Sequence, residues 1–169
     1  MLYTDKISIL DIVEDTTVDG PGFRTSIYGA GCTHQCSGCH NPESWNIEQG
    51  TWKSIDDIVE LVLKNQFSNV TFTGGDPLYQ VEKFLELAKQ IKRHSNKTIW
   101  CYTGFRFEKV LKNKQLSEIL PWIDVMVDGR FIESRKDLSL PFRGSSNQRI
   151  INVPKSLEER KVVLWERLI

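Results

Sequence analysis

Three short runs of β-type residues, Val70-Thr71-Phe72-Thr73, Thr98-Ile99-Trp100-Cys101-Tyr102 and Ile123 to Val127, each stop abruptly at glycine or small polar residues. Between them lie stretches of helical period. Ser54 reads as an N-cap with Asp57 three residues on, followed by Ile55, Ile58, Val59 and Val62 at helical spacing. Val81 to Arg93 carries Phe84, Leu85, Ala88 and Ile91 on one face, and a weaker helical stretch covers Phe107 to Leu120. Strands alternating with helices in this way predict βα units and a parallel sheet. Upstream, Ile7 to Val13 and Phe23 to Tyr28 read as two further strands around the turn signal Asp19-Gly20-Pro21-Gly22, and Thr33 to about Gly50 reads as loop. A closed eight-fold barrel takes about 250 residues, so a chain of this size has room for about five or six βα units. The expectation is an α/β fold, an open, partial (β/α) barrel, in a single domain over residues 1–169. Beyond Val153, the string Ser156-Leu157-Glu158-Glu159 has the form of a capping box and predicts one extra helix within the tail 154–169.

The strand ends draw the argument toward a site. Thr73-Gly74-Gly75-Asp76, Tyr102-Thr103-Gly104 and Asp128-Gly129 fall on the rim where parallel α/β folds bind ligands. A glycine there lets backbone approach a ligand closely. Taken singly, each glycine is explained by a turn; three on one rim point to a binding site.

Three of the four cysteines, Cys32, Cys36 and Cys39, fall within eight residues as C-x3-C-x2-C. Three thiolates on one loop can hold three irons of a cubane cluster, whose usual complement is four cysteines. Cys101, in mid-strand, reads as a small buried hydrophobe. The fourth iron is then open to a small molecule. The competing reading is a structural zinc site completed by His34 or His40, although such sites usually show C-x2-C pairs or a second ligand pair further on, and neither is present as a complete set.

Composition narrows the partners. Lysines plus arginines number 22 and aspartates plus glutamates 22, a formal charge of zero, which gives no electrostatic footprint for nucleic acid or an anionic membrane. Met1-Leu2-Tyr3-Thr4-Asp5-Lys6 lacks the apolar core of a signal peptide, and no run approaches the roughly 20 apolar residues of a membrane span. The expectation is a cytoplasmic protein with no nucleic-acid and no membrane partner. In that compartment clustered thiols speak for a metal before disulfides.

With these pieces in place, the chain resembles the radical S-adenosylmethionine superfamily, and within it the activating proteins of anaerobic ribonucleoside-triphosphate reductase. The matching segments are Asp19 to Arg24, Gly31-Cys32 through Asn41, Thr73 to Leu78, Tyr102-Thr103-Gly104, Val127 to Phe131 and Phe142-Arg143-Gly144-Ser145-Ser146-Asn147-Gln148-Arg149. The resemblance implies the partial barrel of that superfamily. It also implies a 4Fe-4S cluster on Cys32, Cys36 and Cys39, with S-adenosyl-L-methionine chelating the unique iron. The activity implied is reductive cleavage of S-adenosylmethionine to a 5′-deoxyadenosyl radical, which takes a hydrogen atom from a glycine of the reductase large subunit, with a one-electron donor such as flavodoxin. By the same resemblance Gly74, Gly75 and Asp76 meet the methionine amino group, Gly38, Cys39 and His40 lie against the nucleoside, and Tyr102 and Thr103 contact ribose or methionine. Asp76 also reads as a helix N-cap on sequence grounds alone. No acid–base residue is named, since hydrogen abstraction needs proximity rather than a proton shuttle. One departure is Gly38, where many superfamily members carry an aromatic residue that stacks on adenine; His40 is the substitute expected here. The alternative partner is another glycyl-radical enzyme such as pyruvate formate-lyase.

Overall fold

The computed structural model describes residues 5–167. Its centre is an open seven-stranded sheet in the order β3-β1-β2-β4-β5-β6-β7. The strands are β1 (Lys6–Thr16), β2 (Arg24–Gly29), β3 (Thr51–Ser54), β4 (Asn69–Gly74), β5 (Ile99–Tyr102), β6 (Val125–Asp128) and β7 (Arg149–Asn152). Helices α1 (Ile55–Lys64), α2 (Val81–His94) and α3 (Phe107–Lys112) carry the crossovers, and α4 (Val153–Glu159) follows β7.

The mixed α/β class expected from the alternation is present, with fewer repeats than five or six. Only β2, β4, β5 and β6 run parallel, joined by three helical crossovers. The flanks are antiparallel: β1 to β2, β3 to β1 and β7 to β6. The reason is connection length. Asp19-Gly20-Pro21-Gly22 turns the chain between β1 and β2 within a few residues, which only antiparallel neighbours permit. The two strands absent from the sequence reading, β3 and β7, are four-residue edge strands too short to show a period.

The helical stretch expected over Phe107 to Leu120 breaks in two. Asn113 accepts hydrogen bonds from the amides of Gln115 (3.0 Å) and Leu116 (2.9 Å), ending α3 and starting the 3-10 turn Leu116–Trp122, which holds Pro121. Ser54 does stand before α1, but its side chain makes no capping bond. The tail helix exists and starts earlier than the expected capping box. Asn152 caps it through Lys155 N, while Ser156 sits inside and donates to Asn152 O. After Arg160 the chain folds back along β7, with Trp165 N donating to Ile150 O and Asn152 N to Val163 O.

One face of the sheet is the core. Ile27, Val70, Phe72, Ile99, Cys101 and Met126 meet Ile58 and Val62 of α1, Phe84, Leu87 and Ile91 of α2, and Val110 of α3, all buried. The other face carries no helix crossover. It is covered in part by the 17–22 turn and by Phe142 and Trp165, which pack edge-on against Trp100. Among the described residues, no helix is long and apolar enough to cross a membrane.

Candidate functional site

At the carboxyl ends of the parallel strands lies a cleft of about 400 Å³, within the range of small-molecule sites. Cys32, Cys36 and Cys39 line it together with His34, His40, Gly74, Gly75, Tyr102, Thr103, Asp19 and Phe131. The three thiols are free and partly exposed. Cys101 is free too but fully buried on the helix side of β5, with desolvation pushing its thiol far up, so it takes no part in the cleft. Among the described residues, no three Cys, His, Asp or Glu side chains gather around one point as ligands of a single ion. Three thiols around a shared cleft, without a fourth cysteine, are a donor set suited to a cubane cluster with one open iron. A backbone hydrogen bond from His34 reaches Cys32, whose thiol is nevertheless raised, first by burial and then by Asp76 and the neighbouring cysteines.

The cysteine loop is anchored by backbone. Gly31 N donates to Ser44 O (2.8 Å) and Cys32 N to Trp45 O (3.1 Å). On the neighbouring strand, Gly75 N donates to Gly29 O and Asp76 N to Gly31 O, both at 2.8 Å, so β4 continues its ladder with β2 beyond the strand proper. Gly75 has to lack a side chain, because a Cβ there would lie 2.5 Å from Gly31 O and 2.9 Å from Ser44 O. The polypeptide at Gly74–Gly75 is thereby brought flush with the floor of the cysteine loop.

Asp76, expected at the ligand, is 2% exposed, and its carboxylate is occupied. Oδ2 accepts from His34 Nε2 (2.6 Å), Thr103 Oγ1 (2.9 Å) and Gly104 N (3.0 Å); Oδ1 accepts from Leu78 N (2.9 Å). It caps the short turn Pro77–Gln80, close to the N-cap reading of the sequence. The hydroxyl of Thr103 is thus engaged inward. That of Tyr102 donates to Phe142 O (2.7 Å), and burial raises its phenol well above the ordinary value. Gly38 turns the loop at φ +73°, and a Cβ there would meet the Glu133 carboxylate at 2.9 Å. His40 lies against Phe131, ring centroids 5.5 Å apart. Phe131 was not singled out from the sequence as a site residue. Its signals were its place just after the β6 strand end and within the matching segment Val127 to Phe131.

Other motif residues prove to be scaffolding. Asp19 accepts from Ser26 Oγ (2.9 Å) and Tyr28 OH (2.7 Å) and forms one wall of the cleft. Arg24 is 1% exposed, donates to Thr71 Oγ1 (2.8 Å) and Val70 O (2.7 Å), and lies over the Trp100 ring; burial lowers its pKa to about 10. In the segment Gly144 to Gln148, the Gln148 amide accepts from Gly144 N and Ser145 N and donates to Gly129 O, and Asn147 donates to Arg130 O. The segment clamps the loop that presents Phe131.

A family model described as a 4Fe-4S single cluster domain matches residues 18–151. The chain is 38% identical over 143 residues to the anaerobic ribonucleoside-triphosphate reductase-activating protein of Haemophilus influenzae, covering 79% of this chain and 90% of that one. The proteins of the same name from Enterobacteria phage T4 (37%, 79% of this chain and 86% of that one) and Escherichia coli K12 (35%, 78% and 89%) are similar over nearly the same span. The chain belongs to this activating-protein family. Family membership brings with it the 4Fe-4S domain, and the cysteines of the cleft all fall inside the matched residues.

Proposed function

We propose that the protein activates an anaerobic ribonucleoside-triphosphate reductase by generating a glycyl radical on its large subunit. The observation that carries this reading is the convergence of Cys32, Cys36 and Cys39 with the Gly74–Gly75 backbone on one cleft. When bound, a 4Fe-4S cluster supplies the electron that breaks a carbon–sulfur bond of S-adenosylmethionine, and the resulting radical abstracts hydrogen from the reductase glycine. Cys32, Cys36 and Cys39 hold the cluster. The backbone of Gly74 and Gly75 receives the methionine end, and Gly38, Cys39 and His40, with Phe131 beside them, receive the nucleoside. Tyr102 and Thr103 act here mainly through the protein groups they brace. The sheet is read as the partial barrel of the radical S-adenosylmethionine superfamily, its cleft at the strand ends left for the reductase glycine to enter. The further partner would be a one-electron donor such as flavodoxin, in the cytoplasm and without nucleic acid or membrane.

The test is anaerobic reconstitution with iron and sulfide, followed by reduction and addition of S-adenosylmethionine and the reductase. The electron paramagnetic resonance spectrum is expected to show a glycyl-radical doublet with the wild-type chain and none with Cys36→Ala. Cleavage of S-adenosylmethionine without a doublet would reject the partner. Zinc in place of iron would reject the chemistry.

A further inference from the structure

The Asp76 carboxylate takes four donors from this chain, three on Oδ2 and one on Oδ1. Asp76 is buried and is not among the residues that line the cleft, so its carboxylate is turned to the protein and not to the ammonium group of a ligand. Its strongest contact crosses to the cysteine loop: His34 Nε2 lies at 2.6 Å, and both side chains are almost fully buried. The niche around His34 is built to its shape. Phe105 meets the imidazole edge-on at 4.5 Å. Gly104 passes so close that a Cβ there would fall 2.4 Å from Cδ2 and 2.7 Å from Nε2 of the ring. One side chain of the cysteine loop is therefore seated against the ends of both β4 and β5, between the first and second cysteines, while its own backbone is bonded to Cys32.

We infer that Asp76 is a positioning residue which holds the cysteine loop in its ligating shape through His34, and that it does not bind the methionine amino group. The amino group is left to the backbone of Gly74 and Gly75. Thr103 and Gly104 brace the carboxylate from the third strand end, so Asp76, His34 and Gly104 act as one unit. The part of this inference that concerns the amino group rests on the function proposed above; the part that concerns the loop does not.

The experiment separates the two. In the metal-free protein, amide hydrogen exchange over residues 32–39 is compared for wild type, Asp76→Asn, His34→Gln, the double variant and Gly104→Ala. Each single variant is expected to speed exchange of the loop about tenfold or more, the scale of one charge-assisted hydrogen bond. The double variant should be no faster than the singles, because both remove the same contact. Gly104→Ala, which crowds the ring while leaving the His34 and Asp76 side chains chemically intact, should match them. Unchanged exchange in His34→Gln and Gly104→Ala would overturn the loop assignment even if Asp76→Asn does not fold. In reconstituted protein, Asp76→Asn is expected to retain fewer irons per chain, while S-adenosylmethionine binds the remaining clusters within about threefold of wild type. Full cluster content with affinity lost by about tenfold or more would overturn the inference and restore Asp76 as the ligand. A wild-type chain that takes up no cluster would reject the function, and the exchange result would still decide the loop.

Discussion

Toward α1, α2 and α3, strands β2, β4, β5 and β6 present Ile27, Val70, Phe72, Ile99, Cys101 and Met126, every one of them fully buried. On the opposite face the same strands present Arg24, Ser26, Tyr28, Thr71, Thr73, Trp100 and Tyr102. Several polar members of that set are bonded to one another, to the 17–22 turn or to the 142 loop: Arg24 to Thr71, Ser26 and Tyr28 to Asp19, Thr71 to Asp19 O and Tyr102 to Phe142 O. A single alternation of period two thus carries a dry core on one side and a hydrogen-bonded wall on the other. The two sides draw on different physics. The helix side is held by volume and apolar contact, where shape is what matters. The cleft side is held by donors and acceptors, where each group removed strands another.

That contrast can be broken by experiment. The largest effect belongs to the helix side: Phe72→Ala removes a fully buried ring packed 4.9 Å from Phe84 and should cost about 3–5 kcal/mol in urea unfolding, whereas Thr73→Ala one residue on should cost about 1 kcal/mol or less. Equal losses would mean that the faces are not distinct. Next comes Arg24→Met, which roughly conserves volume and would be mild in an apolar core. Here it removes the guanidinium donor from Thr71 Oγ1 and the Val70 carbonyl, and one of the two donors to Thr98 O, and about 1–3 kcal/mol is expected from the same unfolding measurement. A neutral result would move Arg24 to the side of packing.

The smallest effect lies at the sheet's edge. Arg149 holds the Glu108 carboxyl down at about 2, chiefly by direct hydrogen bonding, against an ordinary 4.5. Because the folded value is depressed, this stabilisation is present above about pH 4.5 and is lost as pH falls toward 2. Glu108 is half exposed, so solvent screening limits the contribution to about 1 kcal/mol or less. Glu108→Gln should lower the melting temperature slightly at neutral pH, where the stabilisation is fully present, and flatten its fall between pH 4.5 and 2 so that the two proteins converge in acid.

Much of the molecule could be read without coordinates, and the failures have a pattern. Val81 to Arg93 was legible because Phe84, Ala88 and Ile91 repeat at helical spacing over about two turns. That the C-x3-C-x2-C loop and Thr73-Gly74-Gly75 meet on one rim was legible because each is a local pattern at a strand end. What escaped depended on distant partners. β3 and β7 are strands only because β1 and β6 supply their hydrogen bonds. The break after Lys112 is set by one asparagine side chain. The use of Asp76 hinges on His34, 42 residues earlier, and on Gly104, 28 residues later. A carboxylate beside two glycines reads as a ligand in the sequence, where none of the donors that reach it from His34, Thr103 and Gly104 can be seen.

An open sheet has two flanks on which backbone donors and acceptors invite further strands, and this chain treats one of them with its own tail. The segment after α4 doubles back so that Leu164 bridges Ile151 and Trp165 reaches Ile150. The β7 flank is therefore already satisfied by the chain itself. A second copy cannot add a strand there without first peeling residues 162–165 away, and Trp165 is held by its ring contact with Trp100. The same few residues that roof the helix-free face thus also guard the protein against edge-to-edge polymerisation, the characteristic hazard of exposed strands.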